Sequence, residues 1–165
     1  MCQKPQVSHL PLTKALLAYT HATQKHYEKA IELAKEVVQS RVYDDDVINA
    51  AGCALKLSRA DIELAAYYEE ILKSPRHLNN TQYATELLNT YVRLNQPKRM
   101  QLQATRLYKM TEDPKFMYWH VAALLLQDDL PPTMLVVGEK MLRKVIFEIS
   151  GMGMWYVYGC GYIGI

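Results

Sequence analysis

The sequence predicts an all-α fold, a right-handed superhelix of about four antiparallel helix pairs. Three observations carry this. Apolar residues recur at helical spacing in eight consecutive segments. The segments share a register of about 35 residues, close to the period of helix-turn-helix arrays. Ala30, Ala65, Met100 and Leu135 fall one period apart, and Val37, Leu72, Leu107 and Leu142 follow each by seven residues. Tyr27, Ile62, Pro97 and Pro132 precede each by three, where a helix should begin. Short connections then force consecutive helices to run antiparallel. Units of this kind cannot bury their apolar faces alone and must stack.

Residues 1–10 are expected to be loose, and helical signals begin at Pro11. The first helix, about 11–23, carries Leu12, Ala15, Leu16 and Tyr19 as its apolar stripe. The second, about 26–40, places Tyr27, Ala30, Ile31, Ala34, Val37 and Val38 on one side. Asp44, Asp45 and Asp46 supply a cap and favourable charge for a third helix ending near Leu57. Its Ala50, Gly52 and Ala54 are small enough for a neighbour to approach closely. The fourth, about 61–73, stops at Ser74-Pro75, because the residue before proline disfavours helix. Asn79, Asn80 and Thr81 cap the fifth, about 81–94, and Asn95 suits a left-handed stop. Pro97 opens the sixth at its first turn, where a missing N–H costs little. Asp113-Pro114 repeats that arrangement for the seventh, about 114–127, and Pro131-Pro132 opens the eighth, about 132–149. The repeat domain therefore spans 11–149.

The remainder, 150–165, reads SGMGMWYVYGCGYIGI. It holds five of the seven glycines and no charge, so an irregular tail is expected. It is either a departure from the repeat pattern or a sticky segment that docks on a partner.

Bulk properties narrow the function classes. Half the residues are hydrophobic, enough for a continuous core, and the net charge of +2 implies no gross affinity for DNA or other nucleic acid. Cys2, Cys53 and Cys160 are odd in number and far apart, which suits reduced thiols and not a disulfide framework. The opening MCQKPQVSHLPLTK lacks the apolar stretch of a signal peptide. No charge-free apolar run approaches the roughly 18 residues of a membrane span. A soluble, cytoplasmic protein without membrane contact is expected.

Little here points to catalysis. His21 and His26 are five apart and do not share a helix face, and the i, i+4 pair of an HExxH metal site is absent. No cysteine cluster has zinc spacing, and no GxxxxGK[ST], GxGxxG or GxSxG signature stands in its proper context. Neither metal, cofactor nor catalytic residues are expected. Tyr108, Phe116, Tyr118 and Trp119 fall at helical spacing and read as core more than as a base-stacking platform.

Charge is uneven in one place. No acidic residue lies between Glu86 and Glu112, yet Arg93, Lys98, Arg99, Arg106 and Lys109 all do. Arg99, Arg106 and Lys109 share a helix face at i, i+7 and i+10. Such a stripe is either an ordinary solvated face or a contact for an acidic partner or ribosomal RNA.

The segment HYEKAIELAKEVV resembles the second helix of a tetratricopeptide unit, and NAAGCALKL resembles a first helix. A narrower resemblance lies in TYVRLNQPKRMQLQATRLYKMTEDPKFMYWHVAALLLQ, residues 90–127. Its Tyr91, Arg93, Met100-Gln101, Leu107-Tyr108-Lys109, Pro114, Trp119 and Gln127 are similar to the N-terminal repeats of the auxiliary subunit of the NatB N-terminal acetyltransferase. The resemblance implies a non-catalytic scaffold, the N-terminal portion of a longer subunit. Its partners would be a catalytic acetyltransferase subunit and the ribosome. Two other readings stand beside it. One is a general tetratricopeptide adaptor, although no KxxGN-like carboxylate clamp is found. The other is an RNA-associated helical-repeat protein using the basic stripe.

Overall fold

The computed structural model describes residues 10–127 and 130–159, with backbone alone at 148, 149 and 151–159. The described residues form eight α-helices and no strand, so the fold is all-α and built from helical repeats. The helices are α1 (Pro11–Thr23), α2 (Tyr27–Gln39), α3 (Asp45–Leu57), α4 (Asp61–Ile71), α5 (Thr81–Arg93), α6 (Pro97–Thr111), α7 (Pro114–Leu125) and α8 (Pro132–Gly159). Of the expected loose N-terminus, residues 1–9 lie outside the described residues. The helices fall into two compact units, one up to Leu78 holding α1–α4 and one from Asn79 holding α5–α8.

The turn inside each of the first three helix pairs is the same object. After α1, the amide of Lys25 bonds the Ala22 carbonyl at 3.0 Å and that of His26 bonds His21 at 2.9 Å. After α3, Arg59 bonds Lys56 at 3.1 Å and Ala60 bonds Leu55 at 3.0 Å. After α5, Asn95 bonds Val92 and Gln96 bonds Tyr91, each at 3.1 Å. This paired pattern is the Schellman stop, and it requires a left-handed residue just past the helix. Lys25, Arg59 and Asn95 supply it, with φ of 65°, 54° and 50°. The next helix starts at once: the carbonyls of His26, Ala60 and Gln96 accept from Ala30, Leu64 and Met100. The structurally equivalent second-helix positions are thus Ala30, Leu64 and Met100. The uniform 35-residue register is one residue out at Ala65, which is nonetheless buried.

In the first unit, α1 packs on α2 and α3, and α3 on α4. The face of α1 differs from expectation. Ala15, Ala18 and Ala22 are buried, whereas Leu12 is 39% exposed, Leu16 51% and Tyr19 42%. Three alanines at i, i+3 and i+7 let two neighbouring helices approach closely, and the large residues are turned outward. Gly52 of α3 makes a comparable approach: a Cβ there would lie 2.7 Å from the Tyr68 hydroxyl of α4. Ion pairs join Lys14 of α1 to Glu36 of α2 at 2.6 Å and Lys35 of α2 to Glu63 of α4 at 3.1 Å. The Glu63 backbone amide and the Lys35 ammonium together hold the Glu63 carboxyl below its ordinary range.

The aspartates before α3 do more than the sequence suggests. Asp44 occupies the cap position, but its side chain makes no capping bond. Instead Arg76 reaches Asp44 at 3.3 Å and Asp45 at 3.5 Å. His77 beside it is 3% exposed, and its Nε2 lies 2.8 Å from the Tyr43 carbonyl. These contacts sew the connection at 72–80 onto the start of α3.

In the second unit, α5 packs on α6, α6 on α7 and α7 on α8. The caps behave as expected: Asn80 accepts from the Tyr83 amide at 3.1 Å and Asp113 from the Lys115 amide at 3.0 Å. α8 departs from the register. Leu135 is 45% exposed, while Gly138 and Val145 are buried. A Cβ at Gly138 would stand 2.7 Å from Cδ2 of Leu125, so α8 meets α7 at a glycine and is rotated away from the register. α8 also continues to Gly159, so the tail expected to be irregular from Ser150 begins inside a helix. Extending an existing helix adds a hydrogen bond per residue, which offsets roughly 1 kcal/mol per glycine. Residues 160–165 lie outside the described residues.

Two outcomes follow. Lys25→Gly and Arg59→Gly should each raise unfolding free energy by about 0.5–1 kcal/mol, because glycine relieves the left-handed backbone at both exposed turns. Chemical denaturation would read this, and unchanged midpoints would mean that the turns are unstrained. Asp113 gives a pH signature. Burial raises its carboxyl, but the Lys115 side chain and amide outweigh this and hold it below the ordinary aspartate range. A depressed carboxyl contributes stability above the unfolded value and loses it as pH falls through the folded one. Asp113→Asn should therefore be less stable than the parent at neutral pH, with the difference closing below about pH 4.

Candidate interaction surface

α6 carries four of the five cations singled out above. Its inner face is Met100, Gln103, Ala104 and Leu107, all buried. With those positions turned inward, Lys98, Arg99, Leu102 and Lys109 are exposed and Arg106 is half-buried. Leu102 is 74% exposed, a large apolar residue among cations.

The structure brings together only part of the stripe. Arg106 and Lys109 line a shallow depression of about 420 Å³ with Asn79, Leu102, Thr105 and Met110. Arg99 instead lies over the Tyr91 ring of α5, 5.9 Å from its centroid, a cation–π contact. Arg93 sits in the last turn of α5, where Nη2 donates to the Thr90 hydroxyl at 3.1 Å. Lys98 is exposed in the first turn of α6. Arg106 and Lys109 are therefore the pair set around one concave surface. Its mixed lining suits an acidic ligand with some apolar surface.

The orientation of α6 is fixed by polar ties within the unit. Gln103 Nε2, buried, donates to the Ala84 carbonyl of α5 at 2.9 Å. The Thr105 hydroxyl lies 2.8 Å from the Gln101 carbonyl and 2.7 Å from His120 Nδ1 of α7. Both contacts are satisfied when the hydroxyl donates to the carbonyl and Nδ1 carries a proton to donate back. Gln127 Nε2 donates to Gln101 Oε1 at 2.8 Å. The sequence motif contains both Gln101 and Gln127, 26 positions apart, and the structure shows why: they are one hydrogen bond. Tyr91 of that motif receives Arg99, and Trp119 meets Tyr118 edge-on at 5.8 Å. Phe116 is buried and Tyr118 is 37% exposed, so that aromatic group is only partly core.

Among the described residues, no group of three or more His, Cys, Asp or Glu could hold a metal ion. No described helix is long and apolar enough to cross a membrane. Sequence reasoning missed the outward apolar face of α1 and that of α8. On α8, Met134, Leu135, Val136, Val137, Ile146 and Phe147 are all exposed. A helix apolar all round signals burial but not which side is covered.

Comparisons with known proteins agree with this architecture. A family model described as "Psidin, N-terminal TPR repeats region" matches residues 3–150. The chain is 28% identical over 129 residues to "N-alpha-acetyltransferase 25, NatB auxiliary subunit" of Homo sapiens, covering 73% of this chain and 13% of that protein. The Rattus norvegicus protein of the same name gives the same figures. The "N-terminal acetyltransferase B complex auxiliary subunit NAA25" of Arabidopsis thaliana is 27% identical over 150 residues, 85% of this chain and 14% of that one. The chain thus spans about 13% of the length of the mammalian relatives it matches.

If the glutamine tie fixes α6 against α7, Gln101→Ala and Gln127→Ala should each lower stability by about 0.5–1.5 kcal/mol. The double variant should cost less than the two together, since both remove one bond. Strictly additive losses in denaturant unfolding would show that the pair is not coupled.

Proposed function

We infer the function of this chain from its family: it belongs to the Psidin N-terminal tetratricopeptide-repeat regions. We propose that it is a non-catalytic scaffold portion of a NatB auxiliary subunit, which binds a catalytic acetyltransferase subunit and helps to hold it at the ribosome. The observation that carries the reading is the family match over residues 3–150, with relatives that are themselves named NatB auxiliary subunits. Stacked helix pairs present side chains from many turns on one continuous surface, which suits gripping another protein more than enclosing a reaction. The protein works in the cytoplasm in this reading, where ribosomes and nascent chains meet.

Arg106 and Lys109, with Lys98 and Arg99 nearby in sequence, are the proposed contact for ribosomal RNA or for an acidic surface of the partner. Exposed cations at this density attract phosphates, and that attraction weakens as salt rises.

The scaffold reading is tested by co-expression with the catalytic NatB subunit. Co-purification of the two through size exclusion supports it. Separate elution, or acetyl transfer by this chain alone that a point substitution here abolishes, would overturn it. For the stripe, Arg99→Glu, Arg106→Glu and Lys109→Glu together should leave the helical content intact and reduce co-sedimentation with ribosomes at least several-fold. Association of the parent chain should fall with added salt. Equal sedimentation of both forms at low and moderate salt would remove the stripe from any such role.

A further inference from the structure

The outward face of α1 is the least expected surface of the molecule. Leu12, Leu16 and Tyr19 stand at i, i+4 and i+7, and are 39%, 51% and 42% exposed. Residues so spaced form one line along a helix, while Leu10 and Leu17, also exposed at 56% and 41%, lie off it. The helix offers the stripe no charge of its own. Its single lysine, Lys14, is 27% exposed and tied to Glu36 at 2.6 Å. An apolar line of this kind suits a contact surface.

The Leu12 end of the stripe is acidic, whereas past its Tyr19 end the exposed Lys25, Glu28 and Lys29 carry charge of both signs. Leu12 also lines a depression of about 400 Å³ whose other walls are Asp44, Asp45, Asp46, Val47 and Arg76. Three carboxylates face one guanidinium there. Arg76 reaches Asp44 and Asp45 at 3.3 and 3.5 Å. Asp46 is exposed at the same mouth. The surface therefore reads along its length as apolar, apolar, apolar, acidic. An extended anionic membrane is a poor match, since the acidic end would repel it. A chain segment that is apolar along one face and basic at one end matches both features at once. A helix supplies such a face, with side chains at i, i+3 or i+4, and i+7 meeting the three knobs of α1.

We propose that the Leu12–Leu16–Tyr19 stripe of α1, with the acidic depression beside Leu12, docks an amphipathic helix of a partner protein bearing lysine or arginine at one end. The apolar contacts supply most of the affinity, and the depression sets the direction in which the helix lies. This site does not depend on the acetyltransferase reading.

The test uses the whole 165-residue chain. The probe is a fluorescein-labelled 18-residue helical peptide with leucines at i, i+4, i+7 and i+11 and two lysines at one end, read by anisotropy. The expected result is saturable binding that Leu16→Glu weakens about tenfold or more, with Asp46→Lys weakening it several-fold at low salt. Leu16→Gln should also weaken it; both residues are exposed, so the variants should keep the parent's circular dichroism, the Leu16 variants also its melting temperature, while Asp46→Lys melts slightly lower because it puts a cation in the first turn of α3. A peptide with its lysines changed to glutamates should bind less well to the parent but regain affinity for Asp46→Lys. Binding unaffected by Leu16→Glu would overturn the site. So would equal binding of the lysine and glutamate peptides. Sedimentation velocity closes the remaining possibility: self-association of the parent chain that Leu16→Glu abolishes would assign the stripe to a second copy and overturn the partner-helix proposal.

Discussion

The first three helix pairs rest on a turn of three residues. A helix leaves its last carbonyls without partners, and a chain that must reverse within a few residues has few ways to satisfy them. Here they are satisfied by two amides folded back at a left-handed residue, and the next helix begins two residues after it. That geometry sets how the two helices of a pair are aligned, and so which positions meet. Ala30 follows His26 by the same count that Leu64 follows Ala60 and Met100 follows Gln96, and all three are buried. The left-handed conformation costs something at Lys25 and Arg59, where glycine would not resist it, and the buried positions downstream offset that cost.

Much of this was legible in the residues. Pro97, Pro114 and Pro132 start α6, α7 and α8, because a residue with no amide hydrogen fits only the first turn. Asn80 and Asp113 cap as their chemistry suggests. Asn95 is left-handed, and of the three turn residues it is the one whose side chain tolerates that conformation well. Lys25 and Arg59 carry no such mark, since tertiary packing imposes their conformation. Elsewhere periodicity identified helices but not which side they bury. α1 has enough alanine and enough leucine for either of two faces to be apolar, and close approach selected the alanines. In α8 the choice fell on Gly138, which a register built on larger residues passes over.

The candidate surface divides along the same line. That α6 would carry cations outward followed from its inner face of Met100, Ala104 and Leu107. That Arg99 would turn onto Tyr91, leaving Arg106 and Lys109 to line one depression, depends on where α5 lies beside it, and no spacing along the chain encodes that. The Gln101–Gln127 bond is an intermediate case. Both residues stood out as part of a recognisable segment, but their meeting required the α6–α7 turn at Glu112 and Asp113 to be known.

The unequal spacing of the left-handed residues has an evolutionary reading. Lys25, Arg59 and Asn95 are not evenly separated, although the turns they form are alike. The difference is taken up between those turns, where the connection at 72–80 is longer than that at 40–44 and α4, at 11 residues, is shorter than α2, at 13. Each residue gained inside a helix rotates everything beyond it by about 100°, moving a buried face toward solvent. The same residue gained at 72–80 lengthens a bend and rotates nothing, because loop closure depends only weakly on length. Lineages of such chains should therefore drift in length at the connections between pairs while the three-residue turns of the first three pairs stay fixed in length, and alignments that assume one constant period will lose phase at those connections first.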